Sequence, residues 1–131
     1  MALSLCLASA GVIKTLQIAA FTLVWTHSVE KVEWQEDWHV MPRGLQLVEA
    51  RVKGSGAGME PPSEARLVNG WWRWAPKVMI TPRIILGNSE VVSEWRFCTA
   101  HGCRILSDIF GHPIGMNVTI IQSCYTRLRR Y

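Results

Sequence analysis

FTLVWTHSVEKVEWQEDWHV, at residues 21–40, carries the strongest structural signal in this chain. Apolar side chains recur at every second position in both halves, which is the period of a half-buried β-strand. One side of the first half carries Phe21, Leu23, Trp25, His27 and Val29, and one side of the second half carries Val32, Trp34, Glu36, Trp38 and Val40. The stretch therefore predicts a β-hairpin in which His27 and Glu36 point toward the apolar side.

A third alternating run, LQLVEAR at residues 45–51, follows directly after the turn signal MPRG. Short turns of this kind join neighbouring antiparallel strands. The simplest meander pairs Val29 with Val32 across the first turn and Val40 with Leu45 across the second.

Counting inward from those pairs predicts that several polar groups meet on the apolar side. Glu36 lies opposite Trp25 in one neighbouring strand and opposite Glu49 in the other, and His27 lies diagonally from Glu36. Such a diagonal separates two residues by about 7–8 Å, which side chains can bridge. Arg51 lies opposite Trp34 in the same register.

Two facing carboxylates on a partly dry surface repel, so one stays protonated, a basic neighbour compensates, or a cation lies between them. Two interpretations stay open. One is a ligand or metal site built from His27, Glu36 and Glu49, and the other is a structural ion network with Arg51. One histidine and two carboxylates suit zinc or another divalent cation, but their spacing selects no metal, so the cofactor is unknown at this stage.

A glycine-rich segment, KGSGAGM, follows the third strand. Lys53, Gly54, Ser55, Gly56 and Gly58 predict a loop whose backbone amides approach an anion closely, with the lysine adding charge. The alternative is a connection that needs glycine only for positive φ angles. The segment lacks the Lys-Ser/Thr ending of a phosphate loop.

Tryptophan is unusually frequent, with seven residues in the chain. Trp71 follows the tight-turn signal Asn69-Gly70, and it points to the other side of its strand from Trp72 and Trp74. Such a strand is central in its sheet or exposes one ring, so Trp71 is a candidate platform for a ligand.

The composition indicates a single domain, because 131 residues with 49% hydrophobic content can bury one core. We expect one β domain over residues 1–126 and a basic tail over residues 127–131. Three arginines of that tail supply most of the net charge of +4. The remaining body is nearly neutral, which argues against nucleic-acid binding.

The N-terminal residues imitate a signal peptide, but no Lys or Arg precedes the apolar run, and Lys14 and Gln17 interrupt it. Two strands, over residues 3–7 and 12–18, account for them better. We therefore expect no integral membrane segment and a cytoplasmic location, with the periplasm as the alternative.

Four cysteines leave the redox state open. Cys98 and Cys103 flank a plausible four-residue hairpin loop, so they are either a disulfide or a reduced pair. Cys6 and Cys124 lie in the first and last predicted strands, and they can pair if those strands are neighbours.

The whole pattern predicts an all-β fold, a small antiparallel sandwich or partly open barrel of about nine strands. Residues 78–86, broken by Pro82, indicate one edge strand or two short ones. Residues 105–110 are the only segment with helical character.

Four motifs resemble the bacterial domain of unknown function 1850 family: WTHSVEK at residues 25–31, EWQEDW at 33–38, EARVKGSGAGMEPP at 49–62 and NGWW at 69–72. The resemblance covers nearly the whole chain and includes His27, Glu36 and Glu49. It implies a bacterial protein whose relatives are often encoded beside tripartite transporters of the TAXI class. It supplies no established catalytic residues.

The function expected from these observations is a non-enzymatic ligand-binding or accessory module. Its expected partner is a small organic anion or a transporter component. The alternative is a hydrolase in which His27 or a carboxylate acts as general base, with or without a metal. Ser28 is a poor nucleophile for it, because neighbouring residues in a strand point to opposite faces.

Overall fold

The computed structural model describes residues 1–26, 32–54, 61–77, 79–87 and 95–127. These residues form twelve strands and one short helix. The elements are β1 (Ala2–Ser9), β2 (Val12–Leu16), β3 (Ala20–Thr26), β4 (Glu33–Met41), β5 (Gly44–Lys53), β6 (Arg66–Val68), β7 (Trp71–Trp74), β8 (Ile80–Thr81), β9 (Arg83–Leu86), β10 (Arg96–Thr99), β11 (Gly102–Ile105), α1 (Leu106–Phe110) and β12 (Thr119–Thr126).

The described strands make two antiparallel sheets. The small sheet has the order β2-β1-β12-β9, and the large sheet has the order β11-β10-β3-β4-β5-β7-β6, with β8 pairing with β5. The prediction of an all-β sandwich is confirmed. The number of strands exceeds the expected nine because several runs divide at turns, as the run around Pro82 does between β8 and β9.

The core lies between the two sheets. The small sheet contributes Leu5, Leu7 and Ile121, which are fully buried, and the large sheet contributes fully buried Leu23 and Leu45. Helix α1 adds three buried side chains at one margin of this core. Burial of this apolar surface is the main source of stability for the fold.

The N-terminal segment forms strands, as its pattern predicts. β1 pairs with β2 across a turn at Ala10 and Gly11, and it pairs with β12 on its other side. None of the helices in the described ranges is long and apolar enough to cross a membrane.

All four cysteines form disulfides. Cys6 in β1 is bonded to Cys124 in β12, which brings together the two ends of the chain. Cys98 and Cys103 are directly paired across the hairpin of β10 and β11 and form the second bond. Both pairings were left open by the sequence.

The predicted meander of β3, β4 and β5 is present, but the register of β3 against β4 differs from the prediction. Trp25 lies opposite Trp34, and Leu23 lies opposite Glu36, so the expected pairing of Trp25 with Glu36 is wrong. The last described pair is Thr26 with Glu33, and Val29 of the predicted turn pair lies outside the described residues. The shift is two residues, an even number, so no side chain changes face.

The register of β4 against β5 begins as predicted and then changes at a β-bulge. Val40 pairs with Leu45, which confirms the predicted turn, and Trp38 pairs with Leu47. Asp37, however, pairs with Glu49, so Val48 is an additional residue in β5. A bulge of this kind moves every following side chain of its strand to the other face.

Candidate functional site

The bulge separates the residues that the sequence placed in one cluster. Glu36 lies opposite Ala50, and Trp34 lies opposite Val52, so the predicted pairings of Glu36 with Glu49 and of Trp34 with Arg51 are wrong. Directly opposed residues share a face of a sheet, whereas adjacent residues of one strand do not. Glu36 therefore lies on the face that carries the core, and Glu49 and Arg51 lie on the opposite face.

We call that opposite surface the polar face, and its polar and aromatic members on the central strands include Thr22, Glu33, Gln35, Asp37, Glu49, Arg51, Lys53, Trp71 and Arg73. It contains four of the predicted site residues, Glu49, Arg51, Lys53 and Trp71, and Gly54 follows β5 directly. His27, Ser55, Gly56 and Gly58 lie outside the described residues.

Arg51 is the centre of the polar face. Its Nη1 and Nη2 donate to the two carboxylate oxygens of Asp37 at 2.7 and 3.1 Å, and its Nε donates to Oε1 of Gln35 at 2.7 Å. Nη1 also lies 3.2 Å from Oε1 of Glu49. The side chain of Arg51 is only 14% exposed, so these contacts replace most of its hydration.

The contacts continue across five strands. Arg73 in β7 donates to the same oxygen of Glu49 at 3.0 Å, and Thr22 in β3 donates to Asp37 at 2.7 Å. Toward the other edge, Gln35 donates to Glu33 at 2.9 Å, and Arg96 in β10 donates to Glu33 at 2.6 Å. The result is an ion network centred on Arg51 that includes Glu49 but not Glu36, so it differs in composition and in face from the network that the sequence left open.

The electrostatics of Asp37 follow from these partners. Partial burial alone would raise the pKa of Asp37, but hydrogen bonds from Arg51 and Thr22 and the charges of Arg51 and Arg73 bring it below its usual value. The pKa of Arg51 is raised, because its contacts with Asp37 and Glu49 outweigh its own burial. Both groups of this pair are therefore ionised at neutral pH.

The sequence interpretation missed Asp37. The alternation places it on the side of β4 away from the tryptophans, and a polar residue there looks like an ordinary solvated position. Its partner Arg51 was assigned to the wrong face, so nothing linked the two. A signal was present, because the apolar positions of β5 change from Leu45 and Leu47 to Ala50 and Val52, which reveals the bulge.

Lys53, Gly54 and Trp71 meet at the end of β5, and we call this group the lysine corner. Nζ of Lys53 lies 5.7 Å from the centre of the Trp71 ring, within the range of a cation–π contact. Gly54 has a φ of +88°, which favours glycine, and its N–H donates to the carbonyl of Gly70 at 3.0 Å. Within the described residues Lys53 has no carboxylate partner.

A cleft of about 330 Å³ lies beside this part of the sheet. Arg66 and Arg73 line it together with Glu49 and Glu64, and Val68, which pairs with Trp71, also contributes. The cleft is at the lower end of the volumes that hold small ligands.

Glu36 has different surroundings from the other predicted site residues. It is partly exposed among apolar neighbours, with Leu23 and Ala50 directly opposite on either side. Burial raises the pKa of Glu36 from 4.5 to about 7, and the nearby indole of Trp38 opposes this only in part. At neutral pH this carboxyl group is therefore close to its midpoint of ionisation.

Four tryptophans continue the same face beyond the buried core, and we call them the indole wall: Trp25, Trp34, Trp74 and Trp95. Trp25 stacks on Trp34 with 5.5 Å between ring centres and approaches Trp95 at 4.8 Å. Trp74 meets Trp34 edge-on at 6.0 Å. All four rings are partly exposed, so the wall is an aromatic surface that the small sheet does not fully cover.

Two indole nitrogens on this face are buried without a hydrogen-bond partner in the part of the chain that the structure describes, those of Trp34 and Trp38. Trp38 is 4% exposed. Its N–H lies near Glu36, close enough to favour the ionised carboxylate, but not within hydrogen-bond geometry. Buried donors of this kind are uncommon in folded proteins.

The described residues contain no group of three His, Cys, Asp or Glu side chains that could hold a metal ion. The two predicted carboxylate ligands, Glu36 and Glu49, are on opposite faces of the sheet, so they do not form one centre. What the arrangement offers chemically is recognition, by a lysine over an aromatic ring on one face and by a carboxyl group among indoles on the other.

The sequence matches the model of a known protein family. The model of DUF1850, described as a domain of unknown function, matches residues 21–106, which cover all but the first residue of β3 and all of β4 to β11, with both surfaces described above. No curated protein and no solved structure matches the chain. The protein belongs to the DUF1850 family.

Proposed function

We propose that the protein is a non-enzymatic module that binds a small organic anion at the lysine corner and works with a tripartite transporter. The observation that carries the proposal is Lys53, whose ammonium group lies over the Trp71 ring without a carboxylate partner among the described residues. A cation held over an aromatic ring offers charge to an anionic group and an apolar surface to the rest of the ligand.

The charges of the neighbouring residues support this choice of ligand. Arg51 and Arg73 are already compensated by Asp37 and Glu49, so they hold the surface together and leave Lys53 as the cation for a ligand. Arg66, on the margin of the adjacent cleft, likewise has no ion pair with any described residue.

The enzymatic alternative has less support. A hydrolase that uses Glu36 and Glu49 in one centre requires them on one face, and the bulge at Val48 places them on opposite faces. The link to transport comes from the resemblance of the sequence to a family often encoded beside such transporters. For the compartment we propose the periplasmic alternative, because the two disulfides are of the kind that persists in oxidising environments.

A thermal-shift screen of carboxylates and phosphorylated metabolites, followed by calorimetry, tests the proposal. A ligand at a hundred times its Kd stabilises the folded state by about 2.7 kcal/mol, which a melting curve detects readily. Lys53→Gln should weaken the best ligand about tenfold, and Trp71→Leu should weaken it as well. Lys14→Gln, which changes an exposed lysine in the small sheet, is the matched control and should bind as the wild type does.

Two results would contradict the proposal. One is an anion that binds the wild type and Lys53→Gln with equal affinity. The other is a screen in which no anion raises the melting temperature, which would shift the function toward recognition of a protein partner.

A further inference from the structure

Glu36 occupies a position where a carboxyl group is costly. Its neighbours across the sheet are Leu23 and Ala50, and Trp34 and Trp38 flank it along its own strand on the same face. A carboxylate in such surroundings loses hydration that only a cation or several hydrogen bonds can replace.

No cation that the structure describes in the large sheet forms an ion pair with Glu36. The arginines of the large sheet that form ion pairs, Arg51, Arg73 and Arg96, bond to carboxylates on the polar face, on the other side of the backbone from Glu36. In the small sheet, the titratable residues on the side facing Glu36 are Lys14 and Tyr125, and both are exposed. Among the described residues, no cation compensates Glu36.

The indole of Trp38 gives a second, independent observation at the same place. The residue is 4% exposed, and its N–H has no acceptor among the described residues although a carboxyl group is nearby. A protonated carboxyl group is a weak acceptor, whereas an ionised one can accept several donors at once. A cation that holds Glu36 in its ionised form would therefore also provide an acceptor for this N–H.

The surroundings select the kind of cation. A single carboxylate provides too few oxygen ligands for a divalent metal ion. The exposed surface next to Glu36 is instead made of tryptophan rings, whose faces attract organic cations. Trp25 and Trp34 stack on each other in this surface with 5.5 Å between ring centres, so they form one continuous aromatic cluster.

We propose that Glu36 and the indole wall form a binding site for an organic ammonium group. The ammonium N–H groups donate to the Glu36 carboxylate, and the carbon chain lies on the indoles. The site lies on the other face from the lysine corner, so it goes beyond the anion-binding function and can fail or hold independently of it.

Titration with n-butylammonium chloride tests the proposal, with butan-1-ol as a neutral probe of the same length. At pH 8 the wild type should bind one butylammonium ion with saturation, and the indole N–H signals of Trp34 and Trp38 should shift in NMR spectra. Glu36→Gln should weaken binding at least tenfold. Glu64→Gln removes the same charge from an exposed position and should leave the affinity unchanged.

The pH dependence gives a second readout that needs no variant. Because the pKa of Glu36 is about 7, the ionised fraction rises about tenfold between pH 6 and pH 8, and the affinity for butylammonium should rise about tenfold with it. The titration midpoint of the Glu36 carboxyl carbon should fall when butylammonium saturates the site.

Three outcomes would overturn the proposal. They are non-saturable binding, equal affinity for butylammonium and butan-1-ol, and a Glu36 midpoint that does not move in the presence of the amine. A higher affinity at pH 6 than at pH 8 would indicate that the neutral carboxyl group recognises an acceptor instead, and it would also refute an ammonium site.

Discussion

Replacing Arg51 by methionine should destabilise the protein by about 2 kcal/mol at pH 7. The magnitude follows from the exposure of its contacts. Breaking a fully buried ion pair costs about 3–5 kcal/mol, and an exposed pair is worth about 0–1 kcal/mol. Arg51 is 14% exposed and Asp37 is 35% exposed, so their paired hydrogen bonds fall between these limits. Methionine keeps part of the apolar stem and removes the guanidinium group.

The loss should depend on pH, and its sign follows from Asp37. The pKa of Asp37 in the folded protein lies below its ordinary value of 3.8, so the pair contributes its full stability above that value. This contribution disappears as the pH falls through the folded pKa. The difference between Arg51→Met and the wild type should therefore shrink in acid.

Urea unfolding, followed by circular dichroism from pH 2 to pH 8, measures this difference. Asp37→Asn and the double variant complete a thermodynamic cycle, whose coupling energy should be about 1–2 kcal/mol. Arg83→Met changes an exposed arginine without an ion pair among the described residues, and it should have little effect. A loss below about 0.5 kcal/mol, or a coupling energy near zero, would show that the pair of Arg51 and Asp37 does not stabilise the fold.

Three further predictions concern stability and are read from unfolding curves. Glu36→Gln removes a carboxyl group whose pKa is raised from 4.5 to about 7 in the folded protein. The substitution should therefore stabilise the fold increasingly as the pH rises through this window, by up to about 3 kcal/mol more at pH 8 than at pH 4. A difference independent of pH would count against a buried carboxyl group. Gly44→Ala should destabilise the protein by about 2–4 kcal/mol, because the φ of Gly44 is +153° and a new Cβ would collide with the carbonyl oxygen of Thr81. The control Gly87→Ala should have a mild effect, because a Cβ at Gly87 has no atom of the described residues within 4 Å. Equal effects of the two substitutions would exclude this backbone contact. Replacing Cys6 and Cys124 by serine should lower the free energy of unfolding by about 4 kcal/mol, because their disulfide closes a loop with a sequence separation of 118 residues. An unchanged stability would mean that the bond does not form.

The alternation of apolar residues was sufficient to predict the class of fold. It identified the strands around residues 21–40 and the turn that pairs Val40 with Leu45, because a half-buried strand repeats every second residue. It also identified the N-terminal hairpin. The partners of distant strands, such as β1 with β12, depend on packing across the whole domain and carry no local signal.

The candidate site was harder to predict, because one additional residue in β5 changes which side chains lie on the same face of the sheet. Glu49 and Arg51 continue the alternation of Leu45 and Leu47 in sequence, but Val48 moves them to the opposite face. A polar residue in an alternating run fits either face, so Glu49 and Arg51 gave no sign of the change, and the sign lay in the apolar positions that pass to Ala50 and Val52. Glu36 was correctly placed on the apolar side, because the described pairs of β3 and β4 keep one register without a bulge.

The carboxyl carbon of Glu36 provides the most direct test of the two-sided arrangement. Its chemical shift, followed by NMR from pH 3 to pH 9, should titrate with a midpoint of about 7 in the wild type. The midpoint should be the same in Arg51→Met, because Arg51 lies on the opposite face of the sheet. A midpoint near 4.5 would show that the Glu36 carboxyl group is not buried, and a midpoint that rises when Arg51 is removed would show that the two side chains share one face of the sheet.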